Sequence, residues 1–180
     1  MEIIDTTDIE TLRSKIRTIP DFPQKGIQFK DITPLLGDKK LFKLTSKLLI
    51  QPFESQKIDY VAGLESRGFI LGPIMAQHFN AGFIPIRKPG KLPAETYSQS
   101  YDLEYGEDFL EVHSDAINKG DNVLIHDDLI ATGGTAAAAA KLIEKLGGNI
   151  IGFSFIIEVE FLKGKNNLDS SIPYNTILKV

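Results

Sequence analysis

Residues 123–137 read V-L-I-H-D-D-L-I-A-T-G-G-T-A-A, a stretch that sets two acids directly before an anion-binding pattern. Ala131, Thr132, Gly133, Gly134 and Thr135 suit a phosphate. Glycines let backbone N–H groups converge, a following helix offers its positive dipole end, and threonine hydroxyls add donors. Asp127 and Asp128 would repel that same phosphate. The conflict disappears if the ligand is a sugar phosphate, whose vicinal hydroxyls donate to carboxylates while its phosphate takes the amides. Metal binding is the rival role for the acids, because oxygen ligands suit Mg²⁺. No lysine follows the glycines as in a Walker loop, and the chain holds no G-x-G-x-x-G dinucleotide fingerprint.

Two other stretches carry anion chemistry. In Y-V-A-G-L-E-S-R-G-F (60–69), Glu65, Ser66 and Arg67 occupy a tight turn between glycines. Exposed amides beside a planar guanidinium suit a pyrophosphate. In I-R-K-P-G-K-L-P (86–93), Arg87, Lys88 and Lys91 surround Pro89-Gly90. A basic loop directly after a strand can clamp an anion.

The elements that must position these residues alternate in type. Ile9, Leu12 and Ile16 share a helical face behind Asp8 as N-cap, with Pro20 and Pro23 as stops. Leu41, Leu44, Leu48 and Leu49 mark a second helix over 41–49. Strands are expected at 58–63, 83–86, 122–126 and 149–157, with helices near 69–79 and from the alanine run to Gly147-Gly148. The segment Y-N-T-I-L-K-V is read as a further strand. Apolar strands alternating with helices predict an α/β fold around a mainly parallel sheet. Residues 97–113 read as an antiparallel excursion turned near Gly106. Ligands of such sheets lie beyond the strands' carboxyl ends, where all three anion stretches fall.

At 180 residues the prior is one domain, 1–180. Hydrophobic and charged fractions of 42% and 24% are those of a water-soluble globular chain. The net charge of −4 gives no basic field for nucleic acid, so no nucleic-acid partner is expected. Without cysteine there is no disulfide, thiolate nucleophile or cysteine zinc site. The opening M-E-I-I-D-T-T-D-I-E lacks a secretory pattern and no apolar run is long enough for a bilayer, so a cytoplasmic protein with no membrane partner is expected.

The stretch V-L-I-H-D-D-L-I-A-T-G-G-T resembles the phosphoribosyl pyrophosphate (PRPP) motif of the type I phosphoribosyltransferases. The turn 60–69 and the stretch P-D-F-P-Q-K-G-I-Q-F-K-D-I-T-P-L-L (20–36) are similar to the adenine phosphoribosyltransferases among them, and the likeness runs from about Leu12 to Val159. The resemblance implies that fold, with a small N-terminal hood over 1–36 and a flexible loop at about 87–113. It implies transfer of phosphoribose from PRPP to adenine, giving AMP and pyrophosphate, with Mg²⁺ carried on PRPP and no metal held by protein alone. Asp127 and Asp128 would hold the ribose hydroxyls and 131–135 the 5′-phosphate. Arg67 and the loop around Glu65 and Ser66 would take pyrophosphate, and the anion clamped by Arg87, Lys88 and Lys91 would be a phosphate of PRPP. Phe29 would stack on adenine while backbone groups of Gln28 and Lys30 read its edge. In S-Y-D-L-E-Y-G (100–106), Glu104 would handle the purine proton and Tyr105 would help close the site. A homodimer is implied, with Arg87 reaching the neighbouring site. His126 stands where a small apolar residue is common and is expected to be a core histidine. Two alternatives remain open: a hypoxanthine or guanine enzyme of the same class, and a PRPP-sensing regulator without catalysis.

Overall fold

A computed structural model describes residues 6–102 and 107–180. Contacts gather the chain into two units, one up to Leu48 and one from Leu49 onward. The first contains α1 (Thr6–Lys15), β1 (Arg17–Pro20), β2 (Gln28–Asp31), α2 (Thr33–Gly37) and most of α3 (Lys39–Ile50). The helix expected from Asp8 is α1, but it ends at Lys15, before either proline. Pro20 instead closes β1, which pairs antiparallel with β2 so that Ile19 faces Phe29. An edge position suits proline, whose nitrogen donates nothing to a ladder. The connection closes where Gly26, at φ +94, donates its N–H to Asp21 Oδ1 at 2.7 Å. Arg17 braces the other end, with Nε and Nη2 on Asp31 Oδ2 at 2.9 and 2.5 Å. Phe29 on this hairpin meets Phe22 edge-on, with centroids 5.1 Å apart.

The second unit follows the order β3 (Tyr60–Leu64), α4 (Gly68–His78), β4 (Gly82–Ile86), β5 (Thr96–Asp102), β6 (Glu107–His113), β7 (Asn122–Ile130), α5 (Gly134–Lys145), β8 (Asn149–Glu158), β9 (Tyr174–Lys179). Five strands form a sheet in the order β4-β3-β7-β8-β9, each pair parallel, while β5 and β6 form a separate antiparallel hairpin. This is the expected α/β architecture, with Tyr174–Lys179 as the outer strand. The α5 side of the sheet is packed by Val123, Ile125, Phe153 and Phe155 against Ala136, Ala139, Leu142 and Ile143. Alanines allow the helix to lie close to the strands while keeping full helix propensity. On the other face, Gly152 leaves room for the Phe53 ring, which a Cβ there would meet at 2.3 Å.

One boundary differs from the expectation in a way that matters. Strand β7 does not stop at His126 but continues to Ile130, with Asp127 opposite Phe155 and Ile130 opposite Glu158. Successive strand residues point to opposite faces, so the two adjacent acids are sent to different sides of the sheet. The chain leaves β3 through α4 to β4 on one side and leaves β7 through α5 to β8 on the other. Strand order therefore reverses between β3 and β7, and the crevice at their carboxyl ends is the place where open parallel sheets bind ligands. Among the described residues no helix is long and apolar enough to cross a membrane.

Candidate active site

Two loops open side by side at that reversal. Glu65, Ser66 and Arg67 join β3 to α4, and the Glu65–Ser66 peptide is cis. Ala131, Thr132 and Gly133 join β7 to α5. An ion pair links the two, Arg67 Nε lying 2.9 Å from Asp128 Oδ2, with the Asp128 side chain only 4% exposed. Asp127, on the other face, lines a cavity of about 170 Å³ with Thr132, Gly133 and Thr135. Gly133 has φ +82, a left-handed conformation that glycine adopts without steric cost, and it serves as N-cap of α5. The first amides of that helix have no intrahelical acceptor and carry its positive dipole end. A phosphate in this cavity would meet those amides, while its attached ribose would extend toward the acids.

The acids hold protons more tightly than free aspartates. Burial is the main cause for both; the charge of Asp128 raises Asp127 further, whereas Arg67 pulls Asp128 back down. Asp127 Oδ1 also accepts the Asp128 N–H at 2.8 Å. Hydroxyl groups donating to this pair would favour its charged form, so a polyol ligand relieves what burial costs.

The cations at 87–91 are already matched by carboxylates. Glu65, 11% exposed, receives Lys91 Nζ at 2.6 Å, the Lys88 N–H at 3.0 Å and Arg87 Nε at 3.3 Å. Burial alone would raise the Glu65 pKa, but the hydrogen bonds from Lys91, Lys88 and Arg87 bring it down to about 2. The N–H of Glu65 is spent on Ile86 O at 2.9 Å, so what this residue offers is a carboxylate that gathers cations. Lys88 turns away from Glu65 and binds Tyr101 Oη and Asp108 Oδ2 on the β5–β6 hairpin. Arg87 and Glu111 exchange backbone hydrogen bonds at 2.9 and 2.7 Å, and Gly90 N–H donates to Glu111 Oε2 at 3.0 Å. The basic loop and the hairpin are thus one hydrogen-bonded assembly.

His126 is completely buried in β7. Its Nδ1 lies 2.9 Å from Ser154 O, which makes Nδ1 the donor, and no partner among the described residues reaches Nε2. Burial depresses its pKa from 6.5 to about 4 despite the Ser154 hydrogen bond. Between those values the unfolded chain binds a proton that the folded chain refuses. Its stability contribution is complete above pH 6.5 and is lost as pH falls toward 4, a loss of up to about 3 kcal/mol. Two other sites also respond to acid. The raised aspartates favour the folded state toward acid, and Glu65 loses its contribution only below 4.5, toward about 2. Urea midpoints of wild type and His126→Gln, compared at pH 7 and pH 4.5, are expected to show the smaller acid loss in the variant. Equal losses would remove His126 as the source.

The structure thus brings Glu65, Ser66, Arg67, Asp127, Asp128 and residues 131–135 to one crevice, and it ties Arg87 and Lys91 to that crevice through Glu65. Gln28, Phe29 and Lys30 stand together on β2 of the first unit, Gln28 exposed and the other two half-buried. Glu104 and Tyr105 lie outside the described residues. Four residues that the sequence does not single out by role also touch this machinery. Tyr101 and Asp108 hold Lys88, while Gly164 and Asn167 lie against the 131–133 backbone.

Comparison with known proteins places this geometry. Residues 34–172 match the phosphoribosyl transferase domain. The adenine phosphoribosyltransferase of Christiangramia forsetii is 57% identical over 157 residues, covering 87% of this chain and 92% of that protein. The crystal structure of the Rhodothermus marinus adenine phosphoribosyltransferase superposes with a TM-score of 0.95 at 53% identity, covering 98% of this chain and all (100%) of the other. That of Saccharomyces cerevisiae, complexed with adenine and D-2,5-dideoxy-2,5-imino-altritol 1,6-bisphosphate, superposes with a TM-score of 0.89 at 42% identity over 97% of this chain and 100% of that one. Identity at this level, spread over nearly the whole of both chains, settles the family, and this chain belongs to the adenine phosphoribosyltransferases.

Proposed function

We infer that the protein transfers the 5-phosphoribosyl group of PRPP to adenine, giving AMP and pyrophosphate. The observation that carries this reading is the pairing of the 65–67 and 131–133 loops at the strand reversal, joined by the Arg67–Asp128 ion pair. PRPP has that layout, a 5′-phosphate and a 1′-pyrophosphate on one ribose. Thr132 to Thr135, with Ala131, hold the 5′-phosphate. Asp127 and Asp128 hold the ribose 2′ and 3′ hydroxyls from the end of β7. Arg67 faces the leaving pyrophosphate, with Ser66 in the same turn and with Arg87, Lys88 and Lys91 as the outer cations that Glu65 and Asp108 keep in place.

In the reaction the C1′–O bond to pyrophosphate breaks as adenine N9 bonds to C1′. The electron pair leaves with pyrophosphate, and the N9 proton passes to a base, a role that the resemblance gives to Glu104. The developing positive charge on the ribose ring is met by the two aspartates and the departing negative charge by Arg67, so rate comes from placement and electrostatics. Mg²⁺ belongs to the substrate, neutralising the phosphates of PRPP. Among the described residues no cluster of three or more acidic or imidazole groups could hold a metal. Phe29 stacks on the base, with the backbone of Gln28 and Lys30 reading its edge and Tyr105 completing closure. A cytoplasmic homodimer, with Arg87 extending to the neighbouring site, belongs to the same proposal.

Base choice is tested by initial rates with adenine, hypoxanthine and guanine at saturating PRPP. A site that reads the 6-amino edge is expected to favour adenine by about 10⁴ or more in kcat/KM, since mispairing leaves polar groups unpaired. Comparable rates with a 6-oxopurine would transfer the assignment to the hypoxanthine or guanine enzymes.

A further inference from the structure

The phosphate loop is supported from outside by a segment with no role in the chemistry above. After β8 the chain makes two short 3₁₀ turns, Glu160–Leu162 and Gly164–Asn167. The second lies directly on the loop. A Cβ on Gly164 would fall 2.2 Å from Ala131 O and 2.8 Å from Gly133 N, and a Cβ on Gly133 would fall 2.2 Å from Gly164 O. The two glycines therefore permit a backbone-to-backbone approach that no side chain could share. Lys163, at φ +52, bends the chain into this contact. At its far end Asn167 Nδ2 donates to Thr132 O at 2.7 Å.

A loop that directs amide N–H groups inward necessarily turns carbonyls outward, and each needs a donor. Within one trans peptide the carbonyl and the following N–H point in opposite directions. The donor that holds Thr132 O thereby sets the direction of the Gly133 N–H. Gly133 has wide conformational freedom, so this peptide plane is able to rotate if released.

We propose that Gly164–Asn167 is a brace for the phosphate loop, in which Asn167 is a positioning residue that fixes the Thr132–Gly133 peptide for binding the 5′-phosphate. The brace rests on the reading of 131–135 as the 5′-phosphate loop. Asn167 acts through the Thr132 carbonyl, so its removal should affect 5′-phosphate ligands selectively and leave the pyrophosphate side unchanged.

The test titrates ribose 5-phosphate and, separately, magnesium pyrophosphate into wild type, Asn167→Ala and Asn167→Asp, with melting temperatures recorded for each. Asp has the shape of Asn but no N–H to donate. Both variants are expected to bind ribose 5-phosphate about fivefold to tenfold more weakly, the worth of one hydrogen bond. Pyrophosphate affinity should stay within about twofold, and KM for PRPP should rise with little change in kcat. Wild-type affinity for ribose 5-phosphate in Asn167→Asp overturns the brace alone. Equal weakening of both ligands overturns it as well, because that pattern reports general destabilisation. Failure of wild type itself to bind ribose 5-phosphate removes the loop's assignment, and the brace with it.

Discussion

Replacing Gly133 by alanine is expected to cost at least about 10²-fold in kcat/KM for PRPP, the scale of a 1 Å misplacement at a reacting site. Two independent obstacles meet at this residue. Its φ of +82 is left-handed, which costs an L-residue roughly 1–2 kcal/mol. The added Cβ would also sit 2.2 Å from Gly164 O, a backbone atom that cannot swing aside. The loop must shift, and the N–H groups that it would offer to the 5′-phosphate shift with it. Gly37→Ala is the matched control, since its Cβ would enter open space and Gly37 belongs to the other unit. Steady-state kinetics with varied PRPP read the effect. An unchanged KM for PRPP in Gly133→Ala would show that the loop does not bind the 5′-phosphate.

The second large effect belongs to Arg67. Arg67→Met is expected to lower kcat by about 10² to 10³, as losing a charge-stabilising donor does elsewhere. It also leaves Asp128 buried without the cation that now lowers its proton affinity, so its pKa should rise further. Activity of the variant should therefore climb with pH above the point where wild type has levelled off. Arg67→Lys separates the two roles. It restores a positive charge beside Asp128 but not the planar fork that grips two phosphate oxygens, so the pH profile should recover while kcat stays depressed. Full recovery of kcat in Arg67→Lys would reduce Arg67 to a structural partner of Asp128.

Much of this site could be read from the chain because its chemistry is local. An anion loop needs glycines beside a helix start, and H-D-D-L-I-A-T-G-G-T contains that requirement in consecutive residues. The parallel sheet was legible for a similar reason: strands covered on both faces are nearly continuous apolar runs, as in residues 153–157 of β8, where Ser154 is the one polar residue. What stayed hidden depends on distant partners. A strand running through Asp127 and Asp128 contradicts strand propensity, and only Arg67 across the crevice and the pairing to β8 explain it. The β1–β2 hairpin was masked by prolines that read as breakers, although an edge strand tolerates them. Gly133 reads as a glycine that lets amides converge, yet half of its reason is Gly164, whose own surroundings in F-L-K-G-K-N-N give no sign of the contact. Glu65 reads only as part of a phosphate-binding turn, and nothing nearby in the chain announces that its carboxylate gathers the cations of 87–91.

The central claim is that one crevice holds PRPP by both ends while adenine displaces the pyrophosphate. Phosphorus NMR of purified protein with PRPP, Mg²⁺ and adenine tests it most directly, because it resolves both products from the substrate. The account predicts equimolar AMP and pyrophosphate, with negligible pyrophosphate when adenine is omitted. Pyrophosphate accompanied by ribose 5-phosphate instead of AMP, or PRPP left unchanged, would contradict it.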